Sequence, residues 1–296
     1  MYHVNPKTGE IGTCKAKSPE TCPFGCENHS ENLEEIQVKA DKINKNKFKK
    51  PTEEELNDII KQDKISGYDF SKLDSITQKY LFTKCKQFDN CKFSLKNKKL
   101  KDISFNQCYF VKTRKLLCDN TKFDKCYFSE ELMDSKFNEC EFDKSKFNNI
   151  TINETEFAKI DGLGTKFNEC EFDNVTLQDH VNFYRGQFNK CEFSNLHDDY
   201  GKFGPHSWTL NRFVETSFDK SNFKNVSLNC PVFSGAKINN CEFNNFTVKE
   251  GNFNDSHFDN IKFNNHSTLY KPNLEHTDWN NIDFDRTSEL IQKKGI

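Results

Sequence analysis

From Phe203 to Phe263 a large apolar residue stands at every fifth position: Phe203, Trp208, Phe213, Phe218, Phe223, Leu228, Phe233, Ile238, Phe243, Val248, Phe253, Phe258 and Phe263. An α-helix repeats about every 3.6 residues and a strand about every 2, so neither produces this spacing. A period of five fits a backbone that turns a corner at each repeat, so that the same side chain faces inward on each side of a square coil. Two residues before each centre sits a small residue. Cys91, Cys108 and Cys126 precede Phe93, Phe110 and Phe128, and Ser135, Cys140, Ser145 and Thr155 precede Phe137, Phe142, Phe147 and Phe157. Cys170, Cys191, Cys241 and Ser256 precede Phe172, Phe193, Phe243 and Phe258 in the same way. The unit is small-x-large-x-x, and its other positions are filled mostly by Asn, Asp, Glu, Lys and Ser. Asn and Asp suit corner conformations that most residues avoid.

The register slips, and each slip predicts a bulge or a loop. Two residues are added between Phe93 and Phe105, and three between Phe110 and Phe123. One is missing between Met133 and Phe137, and one is added both between Leu177 and Phe183 and between Phe263 and Leu269. Residues 194–207 keep register but put Asp198 at a centre, which predicts a local distortion or an outward loop.

The flanks read as helical. Asn32 and Glu35 suit a helix start, followed by Leu33, Ile36, Ala40 and Ile43 at helical spacing. Thr52 and Glu55 form a clearer capping box ahead of Leu56, Ile59 and Ile60. Thr287 or Ser288 can cap a short C-terminal helix. The expected organisation is a module at 1–30, a helical linker and N-terminal cap at 31–80, the repeat at 81–286, and a capping helix at 287–296. Such caps cover the apolar, unpaired end coils of a repeat array.

The repeat resembles the pentapeptide-repeat family, whose consensus is Ala-Asp/Asn-Leu-x-x, over about 200 of the 296 residues. Phe stands for most of the central Leu, and Cys, Ser or Thr for much of the Ala. The resemblance implies an all-β fold, a right-handed quadrilateral β-helix with four repeats per coil and a small helical N-terminal region. Coils stacked at roughly 4.8 Å would make about ten turns and a rod of roughly 50 Å.

Composition agrees with one steric slot used many times: 34% of residues are hydrophobic, and 30 residues are Phe. Seven of the 13 cysteines (91, 108, 126, 140, 170, 191 and 241) fall in the small slot and read as core filler. Cys85, Cys118 and Cys230 lie near slips or edges and carry no motif. The N-terminal cysteines differ. Cys14, Cys22, Cys26 and His29 lie close together beside His3, in a segment too poor in apolar residues to fold by burial alone. Two readings stand: a leader with incidental cysteines, or one structural zinc held by His3, Cys14, Cys22 and His29, with Cys26 able to replace His3. The same segment is similar to a short N-terminal module of bacterial and phage proteins, which implies an address or docking tag.

Charge is heavy but nearly balanced, with 43 basic and 45 acidic residues. It is unevenly placed. Residues 81–115 carry ten basic against two acidic residues, and residues 116–200 carry nine against eighteen. On a coil stack this predicts a basic end and an acidic middle, a field that steers charged partners. No stretch approaches the roughly 20 apolar residues of a membrane span, and no signal-peptide pattern opens the chain. The expected compartment is cytoplasmic, in a bacterial host.

No phosphate loop, nucleophile elbow or metalloprotease motif is present. His197, Asp198, Asp199 and His206 are the best candidates for catalysis and read more simply as loop decoration. The expected function is non-enzymatic: a phage or bacterial protein that binds and modulates a host protein through its rod surface or loops. Some pentapeptide-repeat proteins mimic a B-DNA duplex and engage DNA gyrase, so the resemblance implies an alternative, mimicry directed at gyrase or another DNA-binding protein. Direct nucleic-acid binding is not expected, because the run 96–101 with Lys112, Arg114 and Lys115 lacks outward aromatic residues and reads as a solvated basic loop.

Overall fold

A computed structural model describes residues 48–157, 164–178, 180–199 and 212–291, together with three backbone strands nearer the N-terminus. Those strands are β1 (Tyr2–Val4), β2 (Ile11–Thr13) and β3 (Asn28–Ser30), an antiparallel sheet in the order β2-β1-β3. The helix expected over 32–43 lies outside the described residues, as do Phe203 and Trp208 at the head of the five-residue series.

The remainder is one parallel 24-stranded sheet wound into a four-sided solenoid of about ten turns. Its first elements are α1 (Glu53–Ile59), β4 (Lys64–Ser66), α2 (Ser75–Lys84), β5 (Gln87–Asp89), β6 (Lys92–Phe93), β7 (Lys96–Lys101), β8 (Ser104–Asn106) and β9 (Tyr109–Asp119). Every central residue stacks on its counterpart one turn away. One side runs Ile65, Phe88, Phe105, Phe123, Phe142, Phe167, Phe188, Phe218, Ile238, Phe258, Trp279. Along a side the rings stack nearly flat, as with Phe167 and Phe188 at 4.6 Å and 3°. Between sides they meet edge to face, as with Phe188 and Phe193 at 5.5 Å and 61°. Both arrangements are favoured by the ring quadrupole, and each adds roughly 0.5–1.5 kcal/mol to simple burial.

The small slot is more than a size filter. Most hydroxyls and thiols there donate to the carbonyl of the central residue one turn back, and others, such as Ser135 and Cys140, donate to the carbonyl two residues before them. Ser145 Oγ reaches Phe123 O at 3.0 Å, Thr165 Oγ1 reaches Phe137 O at 2.7 Å, and Cys126 Sγ reaches Phe105 O at 3.4 Å. Ser145 Oγ also accepts the Cys126 N–H at 3.0 Å. Cys, Ser and Thr are therefore interchangeable, because each is a compact donor.

The corner falls two residues after each centre, where the backbone takes positive φ. Asn, Asp, Lys and Glu all occur there, including Asn90 at 47°, Lys125 at 51° and Glu169 at 51°. A non-glycine residue pays about 1–2 kcal/mol for this conformation. Stacking offsets the cost, because each corner N–H donates to the next turn: Lys125 N to Asp143 O and Lys144 N to Asn168 O, both at 2.8 Å.

Several expectations change. The solenoid begins earlier than residue 81, with Ile65 and Phe70 in central slots, and α2 then replaces two sides of the first turn. The slip placed after Met133 falls before it: Leu132 is buried and five residues from Phe137, and the ladder shifts between Phe128 and Leu132. Cys118 occupies a central slot, between Leu100 and Phe137. Glu289–Ile291 is a strand paired with Thr268–Tyr270 and not a capping helix, and 292–296 lie outside the described residues. Leu274, Trp279, Ile282, Phe284 and Leu290 at that end are only partly buried. The Thr52–Glu55 capping box is present, with Thr52 N donating to Glu55 Oε2 at 3.0 Å and Glu55 N to Thr52 Oγ1 at 3.3 Å. No helix among the described residues is long and apolar enough to cross a membrane.

Candidate functional site

The interior is filled by packing. Two internal voids among the described residues measure about 10 and 20 Å³ and are lined only by apolar side chains such as Phe223, Phe233 and Leu228. Such a void holds about one water at most and no substrate. The nine buried cysteines among the described residues are free thiols, and burial pushes Cys85, Cys108, Cys118, Cys170 and Cys241 up, the last to about 12. A thiol held protonated in this way is a poor nucleophile.

Of the residues singled out for catalysis, His197 and Asp198 make unrelated contacts. His197 lies on an outward strand with Nε2 3.1 Å from Thr176 Oγ1. Asp198 turns into the central register opposite Leu177, and His206 lies outside the described residues. The Asn229 N–H donates to both Asp198 carboxylate oxygens, at 3.0 and 2.8 Å, where the ladder pairs only His197 with Ser227 on that side. The carboxylate closes a gap in the backbone ladder, a structural task.

For the metal set, the backbone places His3 directly opposite His29 in the β1–β3 ladder, and Thr13, the last residue of β2, opposite Tyr2. Directly opposed residues share a face of an antiparallel pair. Cys14, Cys22 and Cys26 lie outside the described residues, and the described residues contain no group of three or more His, Cys, Asp or Glu placed to hold a metal ion.

The outer surface carries the remaining chemistry. Corner asparagines form ladders, with Asn225 Nδ2 donating to Asn195 Oδ1 and Asn245 Nδ2 to Asn225 Oδ1, both at 3.0 Å. Over the acidic middle, ion pairs cross from turn to turn: Lys122–Glu141 at 3.6 Å, Lys136–Glu156 at 3.0 Å and Lys146–Glu171 at 2.9 Å. Arg185 Nε lies 2.7 Å from Glu215 Oε2 and holds that carboxyl below its usual range.

The basic run is a strand and not a loop. It is β7, hydrogen-bonded to Arg114–Asp119 of β9, with Lys96, Lys99 and Lys101 exposed. Lys98 points inward, and its Nζ donates to Ser75 Oγ at 2.6 Å, fastening the start of α2 to β7. Sequence reasoning missed α2 as an element. Asp74 was its available signal: its carboxylate caps the helix, accepting from Ile76 N at 2.8 Å and Thr77 N at 3.0 Å. The outer face of α2 holds the exposed large hydrophobic residues of the described chain, Ile76 and Tyr80.

No protein-family model matches the chain. No curated protein matches it either. Among solved structures, it is similar to HetL, a pentapeptide repeat protein involved in heterocyst differentiation regulation from the cyanobacterium Nostoc sp. strain PCC 7120. That match has 13% identity over 70% of this chain and 90% of the other, with a TM-score of 0.29. It is also similar to QnrB1, a plasmid-mediated fluoroquinolone resistance protein, at 9% identity over 65% of this chain and 89% of the other, with a TM-score of 0.22. At scores this low, neither likeness carries weight for function.

Proposed function

We propose that this chain is a non-enzymatic binding solenoid of the pentapeptide-repeat kind, a phage or bacterial protein that engages a host protein through its rigid outer surface. The observation behind this reading is the division of labour between the two sides of the backbone. Inward positions are consumed by ring stacking and by slot hydrogen bonds, whereas the outward columns form a rigid, regularly spaced polar array fixed by the ladder. A preordered array loses little conformational entropy on binding. The test is capture from a bacterial lysate on immobilised chain, followed by remixing with the purified captured protein. A partner that rebinds at micromolar affinity or tighter supports the reading, and the absence of any rebinding partner overturns it.

The alternative is a duplex mimic acting on DNA gyrase or another DNA-binding protein. It needs an acidic surface left open to the partner, and the turn-to-turn ion pairs work against that. Glu130, Glu131, Glu141, Glu156 and Glu171 each have a Lys or Arg within 3.6 Å. Such exposed pairs add little stability, but they cancel local field. Unchanged gyrase supercoiling at micromolar chain would remove this alternative.

A second reading concerns the N-terminal segment, which we propose holds one structural zinc through His3, Cys14, Cys22 and His29, or through Cys26 in place of His3. The cross-strand register of His3 and His29 supports it, because the two positions are directly opposed in the β1–β3 ladder. Elemental analysis of the purified full chain should give close to one zinc per chain; a value below about 0.3 removes the reading.

A further inference from the structure

The first turn of the solenoid is irregular. Two of its four sides are replaced by α2, whose inner face is buried through Gln78, Leu81 and Phe82. Ring and slot packing therefore do not explain the residues on its outer face. Ile76 is 82% exposed and Tyr80 51% exposed, one helical turn apart on the same face. Lys84 continues that stripe, with its Nζ 5.7 Å from the Tyr80 ring centre. Elsewhere in the described chain, large apolar side chains are buried or half-buried, so this exposed pair stands apart.

Its surroundings are basic. The Lys98–Ser75 bond sets the residue next to Ile76 against β7, whose outward side chains are Lys96, Lys99 and Lys101. Lys115 of β9 lies on the adjoining rung and is exposed. None of these four exposed lysines has a carboxylate within ion-pair distance among the described residues, whereas their neighbours Lys112 and Arg114 pair with Glu130 and Glu131. The nearby carboxylate of Asp74 is committed to capping α2. An exposed apolar pair on a helix fastened to a lysine-bearing strand has the anatomy of an interface: apolar anchors beside a charged rim that selects the partner and speeds encounter.

We infer that the outer face of α2, with the outward lysines of β7 and β9, is a docking surface for an acidic protein segment that carries an apolar anchor. This rests on the binding-solenoid reading and names the surface and the chemistry of its partner. The aliphatic Ile76, the more exposed of the two anchors, favours a protein over a nucleic acid, which would stack on Tyr80 and gain nothing from an aliphatic side chain.

The test uses the full chain and three fluorescein-labelled probes: an acidic peptide with leucines at helical spacing, the same peptide with serines in their place, and single-stranded DNA. The leucine peptide should bind at least about tenfold more tightly than the serine peptide or the DNA. Ile76→Ser and Tyr80→Ser should each weaken it by about tenfold, and Lys96→Glu with Lys99→Glu should abolish binding. Ile76 and Tyr80 are exposed, so both serine variants should keep the wild-type melting temperature. Equal binding of the serine peptide, tighter binding of DNA, or serine variants that bind like wild type would each overturn the proposal. If the chain ignores the leucine peptide yet captures a rebinding lysate protein equally with and without Ile76→Ser and Tyr80→Ser, this surface is excluded and the binding reading survives. If it captures none, both fall.

Discussion

Asn229 and Asp198 are joined by a contact that replaces a missing piece of backbone ladder: the Asn229 amide donates to both carboxylate oxygens, and Asn229 Nδ2 adds a third bond at 3.3 Å. A carboxylate is thereby held in a position that elsewhere on this side is filled by Ile152, Leu177, Val248 and Leu269. Asp198→Asn keeps one acceptor oxygen and loses the charge. The expected cost is about 1–2 kcal/mol, read by urea denaturation. An unchanged midpoint would remove the structural task assigned to Asp198.

The small slot gives a sharper expectation. Ser145 both donates to Phe123 O and accepts from Cys126 N, inside the wall. Ser145→Ala strands a buried N–H and should cost about 1–3 kcal/mol. Ser145→Cys should cost less, because Cys91 N already donates to Cys108 Sγ at 3.4 Å in the same column. Equal losses for Ala and Cys would mean that the slot reads size alone.

Phe167 tests the ring stack. It lies 5.0 Å from Phe142 and 4.6 Å from Phe188. Phe167→Ala should cost about 3–5 kcal/mol, as expected for loss of a fully buried ring. Phe167→Leu should cost under about 1.5 kcal/mol, since Ile238 already stands between Phe218 and Phe258 on that side. Calorimetric melting of the two variants separates the outcomes.

The C-terminal turn should respond to acid. Asp285 Oδ2 accepts the Asn265 N–H at 2.8 Å, the leading cause of a carboxyl held well below its usual range, with Ser288 and Thr287 assisting. Because the folded pKa is depressed, the stabilisation is fully present above the ordinary value of about 3.9 and is lost as pH falls through the folded one. The Asn265 and Thr287 amide resonances should hold their native positions at pH 5 and move only below about pH 4. In Asp285→Asn they should be displaced already at pH 5 and then change little on acidification. A wild-type shift centred at the ordinary carboxylate pKa would contradict the assignment.

The four-sided stack was legible because Phe213, Phe218, Phe223 and their successors repeat one local demand, and the ladder propagates it. The slots of Cys91 and Cys108 were legible by size but not by chemistry, since the receiving carbonyls lie about a full turn away in sequence. The α2 helix was hidden because Gln78 sits in its buried face, donating to Phe70 O at 3.1 Å, and breaks the apolar periodicity. The 96–101 run looked like a loop because four of its six residues are lysines. Their alternation into and out of the wall depends on pairing with β9, which local composition does not reveal. Corner tolerance of Lys125 and Glu169 was likewise invisible, because the compensation comes from the neighbouring turn.

The most direct test of the rod surface as the binding element is hydrogen exchange on the full chain with and without its purified captured partner. The expected footprint is slowed exchange confined to described solenoid or α2 segments, with the Ile76–Lys84 and Lys96–Lys101 peptides among them. A footprint confined to residues 1–47 would contradict it and assign binding to the N-terminal segment.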